Sequence, residues 1–219
     1  MTTEVKICGL KTDAALEAAL SGGADYVGFV FHAASPRNLD LATAHRLAQK
    51  ARGRAKIVAL LVDPDDRQLD EVVEAVGPDI IQLHGAESPE RVAAITERFK
   101  RPVMKAVKVK SAADAEAALA YKDKAGLILF DSKAPEDRDG ALPGGNGIAF
   151  DWQVLETVRG KIDYMLAGGL TPVNVGEAIR LTGARSVDVS SGVEKRPGEK
   201  DIELIGRFLH AAKTAKQAE

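Results

Sequence analysis

Apolar residues gather into eight short runs, each nearly continuous and each closing on a polar or glycine-rich stretch. These are Val5–Cys8, Tyr26–Phe31, Ile57–Val62, Ile80–Leu83, Val103–Val107, Gly126–Asp131, Tyr164–Ala167 and Val187–Ser190. Runs of this length, rich in Val, Ile and Phe, read as strands buried on both faces. Between them the apolar spacing changes to threes and fours. That spacing predicts amphipathic helices over Asp13–Leu20, Ala42–Ala51, Arg67–Val76, Pro89–Phe99, Ala112–Leu119, Trp152–Val158, Val173–Leu181 and Ile202–Ala212. Each has a polar N-cap candidate: Thr12 or Asp13, Asp40, Asp65, Ser88, Ser111, Asp151, Thr171 and Asp201. Pro89 and Pro172 suit a first helical position.

Strict alternation of strand and helix implies a parallel sheet. Eight units without an uncovered edge strand predict an α/β fold of one kind, a single (β/α)₈ TIM barrel, in preference to an open doubly wound sheet. With no linker or low-complexity tract in view, one domain is expected over 1–212, followed by a polar tail over 213–219. The longest connection, Ser132 to Phe150, is rich in Gly, Pro and charge, and long loops in compact domains are usually functional or disordered.

Composition narrows the partners. The 219 residues are 45% apolar and 28% charged with a formal net charge of -2, and basic residues do not interleave with aromatics, so no nucleic-acid partner is expected. No apolar stretch approaches the roughly 20 residues that span a bilayer, so no membrane association is expected. One cysteine cannot form an internal disulfide, and Met1-Thr-Thr-Glu lacks the basic start of a signal peptide; a cytoplasmic location is expected. His32, His45 and His210 show no metal-ligand spacing, and Gly144-Gly-Asn-Gly lacks the preceding strand of a nucleotide clamp. Neither a metal nor a cofactor is expected, and the sequence does not specify an oligomeric state.

In a barrel, chemistry collects at the carboxyl ends of the strands. Cys8 would stand there on the first strand. A lone cysteine is often a small buried hydrophobe, but Lys6 shares its strand face and Gly9 opens the chain beside it, so a thiol of lowered pKa is expected. Asp131, ending the sixth run in apolar surroundings, is the matching carboxyl, suited to giving a proton while the thiol takes one. Gly168-Gly169 and Ser190-Ser191-Gly192 follow the last two strands, where backbone N–H groups, hydroxyls and a short helix near Gly192 would receive a phosphate. Arg37, in the loop after the second strand, would be a solvent-facing guanidinium suited to a carboxylate. His84 would face the pocket or be a hydrogen-bonded structural residue.

Lys6-Ile-Cys-Gly-Leu, Gly28-Phe-Val-Phe with Ser35-Pro-Arg, Ile81-Gln-Leu-His-Gly, Asp131 before Gly144-Gly-Asn-Gly and Phe150-Asp-Trp, Leu166-Ala-Gly-Gly-Leu, and Val187-Asp-Val-Ser-Ser-Gly-Val-Glu together resemble phosphoribosylanthranilate isomerase. The resemblance spans residues 5 to about 201; Asn146 departs from the small hydroxyl residue more frequent in that family. It implies a cofactor-independent Amadori rearrangement of N-(5-phosphoribosyl)anthranilate to 1-(2-carboxyphenylamino)-1-deoxyribulose 5-phosphate in tryptophan biosynthesis. By this resemblance Asp131 is the general acid that opens the ribose ring and Cys8 the general base that removes the neighbouring C–H proton. Arg37 would hold the anthranilate carboxylate, and Gly168, Gly169, Ser190, Ser191 and Gly192 the phosphate of a small-molecule substrate. Another phosphosugar-processing barrel enzyme, or a non-catalytic phosphate-ligand module, would keep the phosphate loops but not need the thiol and carboxyl together.

Overall fold

The computed structural model describes residues 2–132 and 150–215. Eight parallel strands close into a barrel in sequence order: β1 (Glu4–Cys8), β2 (Tyr26–Phe31), β3 (Lys56–Leu61), β4 (Ile80–Leu83), β5 (Val103–Val109), β6 (Leu127–Ser132), β7 (Tyr164–Leu166) and β8 (Ser186–Val189). The closing pair is β1 with β8, in register from Glu4 opposite Ser186 to Ile7 opposite Val189. The expected barrel is therefore present, and the open sheet is excluded.

Alternation along each strand divides the side chains. Val5, Ile7, Val27, Phe29, Ile57, Ala59, Ile81 and Phe130 join the helices in one outer core. Their neighbours point inward, where Tyr26, Val58, Met104, Leu129 and Met165 fill the lower barrel and Cys8, Val30 and Leu60 form a small apolar group above. Polar side chains share that interior. Lys6 and Gln82 are 0% exposed at inward positions of β1 and β4, whereas Lys105, likewise buried, alternates with the inward Met104 and Ala106 and lies on the outer face of β5.

The outer layer is α1 (Asp13–Ser21), α2 (Leu41–Ala51), α3 (Asp66–Val76), α4 (Pro89–Phe99), α5 (Ala112–Ala117), α6 (Val175–Thr182) and α7 (Ile202–Thr214). Side-chain oxygens of Thr12, Asp40, Asp65, Ser88, Ser111 and Asp201 accept first-turn N–H groups as expected of N-caps. Two expected α-helices differ. Ala112–Leu119 is split, α5 passing into a 3₁₀ turn over Ala118–Tyr121, and Trp152–Val158 is wholly 3₁₀ behind its Asp151 cap.

A third difference bears on the site. Thr171 and Pro172 do not start α6; the helix begins at Val175, because the Asn174 carboxamide ties the preceding turn, accepting from Thr171 N at 2.7 Å and donating to Gly169 O at 3.0 Å. The sequence reading also had no hairpin where β9 (Glu194–Arg196) pairs with β10 (Glu199–Lys200). At the end of the chain, α7 runs to Thr214, two residues past the expected boundary at 212, and Lys213 within it bonds Asp25 at 2.9 Å. Among the described residues no helix is long and apolar enough to cross a membrane.

Candidate active site

The carboxyl ends of the strands surround a pocket whose wall includes Cys8, Arg37, His84, Asp131, Gly168, Gly169, Ser190 and Ser191. Residues expected from six separate stretches of sequence to bear chemistry thus meet at one mouth. Gly144, Asn146 and the rest of 133–149 lie outside the described residues.

Cys8 ends β1 beside Gly28 of β2, and the missing side chain is what brings the neighbours together. A Cβ on Gly28 would stand 3.0 Å from Cys8 Sγ and 3.2 Å from Lys6 Nζ, so thiol and ammonium converge on the space that only glycine leaves open. Lys6 Nζ donates to Asp188 Oδ1 at 2.9 Å, both inside the barrel. Burial works against the ammonium, but Asp188 and then Cys8 outweigh it and hold the Lys6 pKa above its ordinary value.

The expected lowering of the thiol pKa is overturned. Burial is the largest influence on Cys8 and pushes its pKa up, while Lys6 and Lys200 pull the other way without winning. The cation is present as the sequence suggested; the exposure is not, Cys8 being 3% exposed.

Opposite it, Asp131 on β6 accepts from Ser132 N at 2.9 Å through Oδ1 and contacts His84 Nε2 at 3.2 Å through Oδ2. His84 Nδ1 in turn lies 3.1 Å from Gln82 Nε2, two residues back on β4. An amide nitrogen can only donate, so Nδ1 accepts and the imidazole proton sits on Nε2, donating to Asp131. His84 belongs to the carboxyl as much as to the pocket.

Arg37 is not a solvent-facing loop arginine. It is 5% exposed, and its Nε and Nη2 donate to the two oxygens of Glu194 at 2.8 and 2.9 Å. Glu194 also accepts from Lys200 at 2.7 Å, and the two cations hold its carboxyl below the ordinary range against the upward pull of burial. Lys200 is itself lowered, chiefly by burial. Both partners come from the β9–β10 hairpin that the sequence reading missed; its only local signal is Pro197-Gly198, with Gly198 at φ 82° facing Pro36 O.

The two glycine segments lie together, but not all for the expected reason. Gly168 and Gly169 line the pocket at φ 82° and 64°, a conformation glycine adopts without penalty. Gly192 stands behind the wall. A Cβ there would fall 1.9 Å from Leu170 O, so its role is to let the loops after β7 and β8 touch. The expected helix at this point is a single 3₁₀ turn over Ser191–Val193. Ser190 Oγ donates to Cys8 O at 3.1 Å and lies 3.2 Å from Lys200 Nζ, which ties the phosphate-side loop to the thiol strand.

Residues 5–211 match the family model of N-(5′-phosphoribosyl)anthranilate (PRA) isomerase. The chain is 52% identical over 216 residues to the N-(5′-phosphoribosyl)anthranilate isomerase of Chelativorans sp. (strain BNC1), covering 99% of this chain and 98% of the relative. It is equally 52% identical to that of Rhizobium meliloti (strain 1021), covering 99% and 100%. Among solved structures it is similar to phosphoribosyl anthranilate isomerase from Thermotoga maritima, with a TM-score of 0.86 at 36% identity over 96% of this chain and 98% of that one. It is also similar to a phosphoribosyl anthranilate isomerase in complex with reduced 1-(o-carboxyphenylamino)-1-deoxyribulose 5-phosphate, with a TM-score of 0.84 at 34% identity over the same shares.

Proposed function

The chain belongs to the N-(5′-phosphoribosyl)anthranilate isomerase family, and from that membership we propose how its residues divide the reaction. The activity is the Amadori rearrangement of N-(5-phosphoribosyl)anthranilate to 1-(2-carboxyphenylamino)-1-deoxyribulose 5-phosphate, an isomerase step of tryptophan biosynthesis. The observation that carries the division of roles is that Cys8 and Asp131, thiol and carboxyl, open into one pocket between the Gly168–Gly169 segment and Arg37.

Asp131, once protonated, gives its proton to the ribose ring oxygen as the C1′–O bond breaks and the anthranilate nitrogen forms an iminium. The positive nitrogen acidifies the C2′ hydrogen, and Cys8 takes it as a thiolate. The free thiol is held up by burial, so the iminium supplies a further cation that, with Lys6 and Lys200, offsets burial when the base is needed. As the enolamine becomes the ketone, C1′ gains a proton and the enol hydroxyl releases one, so the rearrangement is proton-neutral.

Gly168, Gly169, Ser191 and the loop set by Gly192 and Ser190 would hold the phosphate, and Arg37, fixed by Glu194, would face the aryl carboxylate. The trio Arg37, Glu194 and Lys200 carries one carboxylate against two basic groups, which favours an anionic guest. The occupant is a phosphorylated small molecule, and on this reading the barrel acts as one catalytic unit in the cytoplasm. The test is loss of phosphoribosylanthranilate fluorescence with purified protein; turnover is expected, and none at any enzyme concentration would overturn the reading.

A further inference from the structure

Behind the carboxyl lies a polar side chain to which the acid and base steps give no part. Gln82 is 0% exposed, on the inward face of β4 in register with Leu60 of β3 and Met104 of β5. Its Nε2 meets His84 Nδ1 at 3.1 Å, and its Oε1 has no hydrogen-bond partner among the described residues. A buried amide with one end unpaired costs stability that an apolar side chain of the same size would not. Its one side-chain hydrogen bond among the described residues is to the imidazole that touches Asp131.

An amide turned by 180° keeps its shape and exchanges donor for acceptor. As described above, Gln82 Nε2 donates to Nδ1, the proton sits on Nε2, and Asp131 receives it as a carboxylate. With the amide turned, Oε1 faces Nδ1, which must carry the proton. Nε2 is then a bare acceptor, and the group facing it at 3.2 Å must be a donor: the protonated acid. Each orientation satisfies the imidazole and leaves the other end of the amide unpaired, so no second contact favours either.

We propose that Gln82 is a positioning residue for the general acid, and that rotation of its amide switches the His84 tautomer so that Asp131 is presented alternately as carboxylate and as carboxylic acid. The proposal rests on Asp131 being the acid. The protons balance: one arrives from water on Nδ1, the proton of Nε2 crosses to Oδ2, and that proton leaves to the ribose ring oxygen. The enol hydroxyl of the later intermediate returns one to water, and the cycle closes when the amide turns back, Nδ1 giving its proton to water and Nε2 taking one from water. Ser132 N pins Oδ1 as an acceptor in both states, so Oδ2 is the oxygen whose proton changes.

That pinning makes Asp131→Asn a fixed copy of the protonated state, because its carbonyl stays on Ser132 N and its NH₂ faces His84. Nitrogen-15 NMR of the imidazoles is expected to place the His84 proton on Nε2 in the wild type and on Nδ1 in Asp131→Asn. The same tautomer in both would overturn the switch. Gln82→Met, which fills the space without a polar end, is expected to lower kcat at least about tenfold, a part of the 10²–10⁴ range of one positioned acid–base group, with KM within about threefold. Wild-type kcat in Gln82→Met would likewise overturn it. Wild-type turnover by Asp131→Asn would instead remove the acid assignment, and the NMR comparison would still decide the tautomer switch on its own.

Discussion

At the scale of single residues the base is the informative case, because two effects of opposite sign act on one sulfur. Burial raises the thiol and the Lys6 ammonium lowers it. Cys8→Ala is expected to lower kcat by about 10²–10⁴-fold with a smaller change in KM, measured by steady-state kinetics. Lys6→Met tests the balance. Without the cation the thiol rises further, so the limb of kcat/KM that reports thiolate formation moves to higher pH. Asp188 is then left buried without its partner, which costs about 3–5 kcal/mol in urea unfolding. Adding Asp188→Asn should recover part of that stability and bring the pH limb only part of the way back, because Asp188 raises the thiol by less than Lys6 lowers it. Full return of the limb to its wild-type position would mean that Lys6 only neutralises Asp188 and does nothing for the sulfur. Cys8, Asp131 and the glycine segments were legible because they interrupt apolar strands at their ends. Gln82 and Asp188 interrupt strands too, yet an inward polar side chain is recognised only once the opposite wall of the barrel is known.

At the scale of elements, strand and helix order was legible because burial on both faces leaves an apolar run with no polar phase, and every strand is found within about two residues of its expected place. What escaped was short and polar. The β9–β10 hairpin, Glu194-Lys-Arg-Pro-Gly-Glu-Lys, has no apolar alternation, since it is held by Glu194 and Lys200 reaching into the site and not by a core. The start of α6 escaped because Asn174 caps the turn through its side chain, a contact that competes with a helix begun at Pro172. The same scale distinguishes two glycines that sequence treats alike. Gly28 sits in a strand with a backbone any residue adopts, so Gly28→Ala should fold. Its methyl would press on Cys8 Sγ and Lys6 Nζ, and kcat should fall by more than about tenfold as the base is displaced. Gly192→Ala meets a backbone carbonyl that cannot step aside and should raise KM for the phosphorylated substrate and lower the Tm. Equal kinetics for Gly28→Ala and wild type would separate the base from the cleft that glycine leaves.

At the scale of the whole molecule a strongly depressed carboxylate and a large stability effect belong to different residues. Glu17 is drawn down to about 2 by Arg54 and Ser21, but it lies fully in solvent, where such pairs contribute little. Glu87 is 6% exposed, and it joins the loops after β3 and β4 to strand β5 at the mouth of the barrel. It accepts from Lys105 of β5 at 2.8 Å, from Asp63 N after β3 at 2.9 Å and from Gly85 N after β4. Burial alone would raise its pKa; Lys105 and the backbone donors outweigh burial and hold it below the ordinary value of 4.5. A carboxylate depressed in the folded state contributes stability that is fully present above the unfolded pKa and is lost as the pH falls through the folded one. Urea midpoints are therefore expected to stay level from neutral pH down to roughly 5 and to fall below about 4.5. Glu87→Gln should lower stability at pH 7 by roughly 3 kcal/mol, since Lys105 loses its buried partner. It should also flatten the acid slope relative to wild type, whereas Glu17→Gln should leave both midpoint and slope nearly unchanged. A Glu87→Gln curve parallel to wild type through the acid range would assign acid unfolding to other groups, and the ion pair at the mouth would then be a matter of loop placement alone.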